Sequence, residues 1–129
     1  MELTVYYDYE NDIVITVPIG DVTTENVKTG AMKALEFSTQ YNCNYLMFDI
    51  RQCKEAQPII QGYYDMKDMA KTTGLTPSHK CAVVYDPGKY PEERAQFIEN
   101  VIANRPNPTL KMFKTTEAAH EWLRELKNQ

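Results

Sequence analysis

The stretch that decides the fold is Asn44-Tyr45-Leu46-Met47-Phe48-Asp49-Ile50-Arg51, a short apolar run that ends abruptly in charge. The flanking segments are polar and helical in pattern, so the run predicts a strand buried on both faces of a parallel sheet. Asp49 and Arg51 would then lie at its carboxyl end, the edge where open α/β sheets place their sites. We predict that Leu46 and Phe48 are buried, and that Phe48→Ala costs about 3–5 kcal/mol.

Two β-strands are predicted before this central strand. Residues 3–9 alternate between apolar and polar side chains, and a second β-branched run follows at residues 13–19. The turn between them is so short that the strands must form a hairpin, because a parallel crossover needs a dozen or more residues. Pro18 cannot donate a hydrogen bond to a neighbouring strand, which predicts a strand end or a bulge there.

Helical patterns occupy the segments between the remaining strands, which are predicted at residues 81–85 and 110–113. The residues that begin or end these helices are Thr23, Pro58, Gly74, Pro91 and either Thr115 or Thr116. The resulting order, β-β-α-β-α-β-α-β-α, predicts one α/β domain spanning residues 1–129. Right-handed crossovers arrange its strands as a mixed five-stranded sheet.

Composition restricts the class of partner and the location. A net charge of −4 argues against nucleic acid or an anionic membrane surface as the main partner. No apolar run approaches a membrane-spanning length, and the first residues do not resemble a signal peptide. Cys43, Cys53 and Cys81 lack Cys-x-x-Cys spacing, which is typical of reduced thiols in the cytoplasm.

The order of elements, together with four short motifs, resembles the STAS-like (SpoIIAA-like) family of sulfate-transporter and anti-sigma-factor-antagonist domains. The motifs are Gly20-Asp21-Val22-Thr23 after the hairpin, Phe48-Asp49-Ile50-Arg51, Val83-Val84-Tyr85-Asp86-Pro87, and the closing stretch from Phe113 to Leu123. The resemblance covers nearly the whole chain. It implies a SpoIIAA-like fold and a small cytoplasmic module that binds a protein or a small ligand.

One property of that family has no counterpart here. In its sporulation regulators, a serine just after the third strand accepts a phosphate from a partner kinase. The matching stretch, Ile50-Arg51-Gln52-Cys53-Lys54-Glu55-Ala56, contains neither serine nor threonine. The phosphoserine switch is therefore not expected in this chain.

Three carboxylates, Asp21, Asp49 and Asp86, each follow a predicted strand and could meet at one edge of the sheet. Such a group could bind Mg²⁺ or accept a phosphoryl group. A receiver-type phosphoacceptor domain would need a helix between its first two strands and an acidic pair after the first, and this chain has only Asp8 there. We favour the alternative, in which these residues cap helices and turns.

Other reactive side chains give weak signals. His79 and His120 have no partner at metal-ligand spacing and are interpreted as surface histidines, so no metal or cofactor is predicted. Cys53 lies near Arg51 and Lys54, which would lower the pKa of its thiol. No histidine is placed to act as its base, so a loop cysteine without a role is the preferred interpretation.

The predicted second helix carries more apolar residues than one face can hold. Its inward face would be Ile59, Tyr63, Met66 and Ala70, while other sides of the helix show Ile60, Tyr64 and Met69. The excess indicates either a wide core-facing stripe or an interaction surface. The candidate binding residues at this helix and the carboxyl edge are Asp49, Arg51, Cys53, Lys54, Ile60, Tyr64, Asp86, Lys89 and Tyr90.

Three functions remain open from the sequence. The preferred one is a non-enzymatic module that binds a protein partner, a second copy of itself or a small ligand at the carboxyl edge of the sheet. The second is a domain for an apolar, lipid-type ligand held between the second and third helices. The third is an enzyme that uses Asp21, Asp49 and Asp86.

Overall fold

The computed structural model describes residues 1–56, 69–103 and 108–129. The strands are β1 (Glu2–Asp8), β2 (Ile13–Val22), β3 (Tyr45–Asp49), β4 (Cys53–Glu55), β5 (Lys80–Val84) and β6 (Thr109–Phe113). The helices are α1 (Thr24–Tyr41), α2 (Met69–Thr73), α3 (Glu92–Ala103) and α4 (Thr116–Lys127). None of the helices within these ranges is long and apolar enough to cross a membrane.

The strands form a mixed sheet in the order β1-β2-β3-β5-β6, with β4 as a sixth strand paired to β2. β1 and β2 pair in antiparallel fashion, and all the other pairs are parallel. The predicted α/β class, the N-terminal hairpin and the central place of β3 are confirmed. The short strand β4 was not predicted, because it lies in a stretch that the sequence pattern assigns to a loop.

β2 is longer than predicted and changes its neighbour halfway along. β3 pairs with residues 14–16 of β2, and β4 pairs with residues 20–22. Pro18 falls between these two pairings, while its own strand continues to Val22. The prediction of a strand end or a bulge at Pro18 is therefore wrong, because β2 continues and Pro18 pairs with Leu3 of β1 in an unbroken register. A residue without a backbone N–H is tolerated there because it lies where neither of these two parallel partners is paired.

Side chains alternate between the two faces of the sheet, as the period of a strand requires. One face is covered by α4, with Met47 at its centre. The other face lies under α1 and α3, with Leu46 at its centre. Leu46 is 0% exposed and Met47 is 2% exposed, which confirms a strand buried on both faces. Phe48 is only half-buried, so its predicted full burial is wrong.

Two of the predicted helix caps are present. Thr23 Oγ1 accepts a hydrogen bond from the Asn26 backbone N–H, and Thr115 Oγ1 accepts one from that of Ala118, each at 3.2 Å. Each satisfies an N–H that has no partner inside the helix. Of the predicted second helix, the structure describes only α2. Ile60 and Tyr64, the candidate contact residues, lie outside the described residues.

Candidate functional site

A cavity of about 120 Å³ lies between the sheet and the helices on the α1–α3 side. Its lining is almost entirely apolar. Side chains of the sheet that line it include Thr16, Pro18, Phe48 and Val83; helical ones include Val27, Gly30, Ala31 and Ile98. Asp21, which is exposed, also borders the cavity.

The cavity exists because small residues of α1 face larger ones on the sheet. Gly30 and Ala31 are buried and lie on the inner side of the helix. A Cβ atom added at Gly30 would meet no atom within 4 Å. Opposite them, Thr16 and Phe48 are directly paired in the register of β2 and β3, so both point to the same face. The structure thus leaves unfilled space beside Phe48, which explains why that ring is half-buried.

Two polar groups at the cavity are engaged in hydrogen bonds. Cys53 Sγ donates to the Pro18 carbonyl at 3.3 Å, and the Asn26 side-chain amide donates to the Asp21 carbonyl at 2.8 Å. Thr16 differs from them. It is 1% exposed, and its Oγ1 has no hydrogen-bond partner in the described part of the chain.

Cys53 does not lie in an exposed loop. It is 4% exposed, because pairing of β4 with β2 turns its side chain toward the interior. Burial raises the pKa of the Cys53 thiol, since the thiolate would lose its hydration. The hypothesis of a reactive thiolate activated by Arg51 and Lys54 is therefore wrong.

Tyr90 follows a proline-rich turn and closes part of the cavity. It is 2% exposed, and its ring makes an edge contact with Tyr85 at a centroid distance of 6.4 Å. Burial raises the pKa of the Tyr90 phenol. Its neighbour Lys89 is exposed, and its backbone carbonyl accepts a hydrogen bond from the Glu55 N–H at 3.2 Å. Of the predicted binding residues, Cys53 and Tyr90 line the cavity.

The three candidate carboxylates have local partners instead of a shared one. Asp49 accepts from Nε and Nη2 of Arg51, both at 2.8 Å. Asp86 accepts from the Gly88 N–H at 2.9 Å and so closes its own turn. Asp21 is 4.0 Å from Lys54 Nζ. Within the described ranges, no three metal-ligating side chains are arranged to hold an ion.

The charged carboxylate of Asp49 should stabilise the fold at neutral pH, and this stabilisation should be lost in acid. Its bond with the Arg51 guanidinium lowers the pKa of the Asp49 carboxyl below 3.8. Because the pKa is lower in the folded protein, the charged carboxylate stabilises the fold at pH values above its pKa in the unfolded chain. This contribution is lost as the pH falls through the pKa of the folded protein. Asp49→Asn should therefore lower the free energy of unfolding by about 0.5–1 kcal/mol at neutral pH.

Urea unfolding of the two proteins, at neutral pH and at about pH 3, tests this expectation. The gap between wild type and Asp49→Asn should shrink in acid, because protonation of the Asp49 carboxyl in the unfolded chain progressively removes the stabilising contribution of its charge. A gap that stays constant across this range would show that the Asp49 charge contributes nothing to stability. Glu36→Gln is a matched control, because Glu36 forms an exposed pair with Lys33 at 3.4 Å.

His79 is not a surface residue, contrary to the prediction. It is 6% exposed, and its Nδ1 accepts from the Thr76 N–H at 3.0 Å. Burial lowers the pKa of the His79 imidazole, which favours its neutral form. The residue thus stabilises the turn that leads into β5.

One buried charged pair was missed by sequence reasoning. Arg94 of α3 forms an ion pair with Glu55 of β4, with side-chain exposures of 7% and 29%. Glu92 and Glu93 are only one or two positions from Arg94, where side chains of a helix do not face each other, so the helix itself offers Arg94 no acidic partner. No sequence signal relates it to a strand residue 39 positions away.

Neither a family model nor a curated protein matches the chain. Among solved structures, it is similar to an uncharacterised protein of the DUF3478 family with a SpoIIAA-like fold, from Shewanella loihica PV-4. The likeness has a TM-score of 0.55 and 14% sequence identity, and covers 95% of this chain and 92% of that chain. The chain therefore has a SpoIIAA-like fold, as its motifs indicated. At this identity the likeness establishes the fold alone.

Proposed function

We propose that this protein is a non-enzymatic binding module that holds a compact apolar ligand in the cavity between the sheet, α1 and α3. The cavity itself is the observation that supports this function. At about 120 Å³ with an apolar lining, it approaches the size of an engineered cavity of roughly 150 Å³ that stays dry and binds benzene. Apolar concave sites with few polar groups are the usual form of small-molecule sites.

Gly30 gives independent support. A glycine inside a helix destabilises it by about 0.5–1 kcal/mol relative to alanine. The usual reason for such a glycine is a neighbour that would clash with a Cβ, yet an added Cβ at Gly30 meets nothing within 4 Å. Unfilled space in a core is itself unfavourable. A ligand that occupies this space would account for both features.

The proposed site lies inside the sheet–helix layer, and this differs from the preferred expectation of a site at the exposed carboxyl edge. Asp49, Arg51 and Asp86 interact with their own neighbourhoods, which is consistent with structural roles. The hypothesis of a contact surface at Ile60 and Tyr64 concerns residues outside the described part and stays a prediction. A cytoplasmic location belongs to the proposal, and three unpaired thiols support it.

Gly30→Leu should abolish binding of benzene. The leucine side chain would occupy the cavity, and the fold should persist because leucine is a better helix former than glycine. We expect benzene to shift backbone NMR signals of cavity residues such as Val27 and Ile98 in the wild type and to leave them unchanged in the variant. The thermal midpoint of Gly30→Leu should equal or exceed that of the wild type.

Lys28→Leu is the matched control, because it places the same side chain on the exposed side of the same helix. It should bind benzene as the wild type does. If the wild type shows no saturable shifts, or if Gly30→Leu binds benzene equally well, the cavity is not a ligand site.

A further inference from the structure

We infer that the Thr16 hydroxyl is the polar anchor of this cavity, and that the ligand is a neutral apolar molecule with one hydrogen-bonding group. The inference rests on the proposed function and adds the chemical class of the ligand. Thr16 is 1% exposed and lines the cavity, while its Oγ1 has no partner among the described residues.

An unpaired hydroxyl at this depth is unfavourable for the free protein. Buried polar groups are almost always hydrogen-bonded, and a buried group without a partner has lost its water without replacement. Valine has the same branched shape and would fill the position on β2 without this loss. The threonine is therefore better explained by a partner that arrives from the cavity.

Three other polar residues that line the cavity already have partners. The Cys53 thiol already donates to Pro18, and the Asn26 amide already donates to Asp21. The Asp21 carboxylate is exposed and faces Lys54 at 4.0 Å. Thr16 differs from these three residues because its hydroxyl has no partner among the described residues.

The chemistry of the hydroxyl selects the ligand class. A threonine hydroxyl can donate one hydrogen bond and accept others, so it suits an alcohol, a phenol or a carbonyl group. No lysine or arginine side chain is among the described residues that line the cavity. A carboxylate or phosphate would therefore be buried without a counter-charge, which is strongly unfavourable. The ligand class is a neutral alcohol, phenol or ketone with a small hydrocarbon body.

Phenol and benzene form a minimal pair of probes, since they differ by one hydroxyl. Their affinities are measured by NMR titration for wild type, Thr16→Val and Thr16→Ser. Thr16→Val should bind phenol roughly two- to tenfold more weakly, the equivalent of one neutral hydrogen bond. Its benzene affinity should be unchanged or slightly higher. Thr16→Ser keeps the hydroxyl and should restore phenol binding.

Thr4→Val is the matched control, because it makes the same exchange at an exposed residue of β1 that is not among the described residues lining the cavity, so it should leave phenol binding intact. The thermal midpoint of free Thr16→Val should equal or exceed that of the wild type, and a clear drop would show that the hydroxyl has a structural partner and overturn the inference. Equal loss of phenol and benzene, or no loss of phenol, would also overturn it. If neither probe binds the wild type, both the proposed function and the inferred role of the Thr16 hydroxyl are refuted. Benzene binding without any effect of Thr16 on phenol refutes the anchor alone.

Discussion

Leu46→Ala should lower the free energy of unfolding by about 3–5 kcal/mol. Leu46 is 0% exposed and lies on β3, between β2 and β5. It is paired in register with Val14 on one side and Cys81 on the other, and all three belong to one buried cluster. Because close-packed neighbours relax only partly around a deleted side chain, the loss includes both transfer to water and a new cavity.

Phe48→Ala, two residues along the same strand, is the comparison for this experiment. Its ring is larger, but it is half-buried and already borders the cavity. Because the ring is half-buried, the loss should fall below the roughly 3–5 kcal/mol expected for a fully buried phenylalanine. Urea unfolding of both variants measures the difference. If Phe48→Ala costs more than Leu46→Ala, the assignment of empty space beside Phe48 is wrong.

Arg94→Ala should be nearly as damaging, with a loss of about 3–5 kcal/mol. The pair that Arg94 forms with Glu55 joins α3 to β4, and its guanidinium side chain is only 7% exposed. Removing the arginine leaves the Glu55 carboxylate, 29% exposed, without this partner. The loss also includes the apolar stem of the arginine, which packs in the interior.

A double variant separates the charge from the packing. Arg94→Met with Glu55→Leu replaces both charges by apolar groups, and such exchanges of buried pairs are often neutral or stabilising. It should therefore be much more stable than Arg94→Ala.

Lys33→Ala, at an exposed pair with Glu36, is the control and should lower the free energy of unfolding by less than about 1 kcal/mol. An Arg94→Ala variant no less stable than Lys33→Ala would contradict a structural role for the buried pair.

The sequence by itself determined the features that depend on neighbouring residues. The apolar run at residues 44–51 predicted β3, and the short turn before residue 13 required a hairpin because no crossover fits into it. Thr23 and one of the pair Thr115 and Thr116 were identified as caps, because capping needs only a side chain and an N–H three residues later, and the structure shows Thr23 and Thr115 in this role. With the handedness of crossovers, these local signals predicted the order of elements apart from β4, while the likeness to a SpoIIAA-like fold came from the motifs that resemble that family.

Only the tertiary structure decided which side chains are buried outside the regular patterns. Cys53 was assigned to a loop and His79 to the surface, yet they are only 4% and 6% exposed. Their burial depends on segments distant in sequence, such as the pairing of β4 with the end of β2. The cavity depends on the same kind of relation, since it is the space between a glycine of α1 and a threonine of β2. Hydrophobic periodicity reports which face of an element points inward, but whether opposing faces fill the space between them depends on the assembled fold.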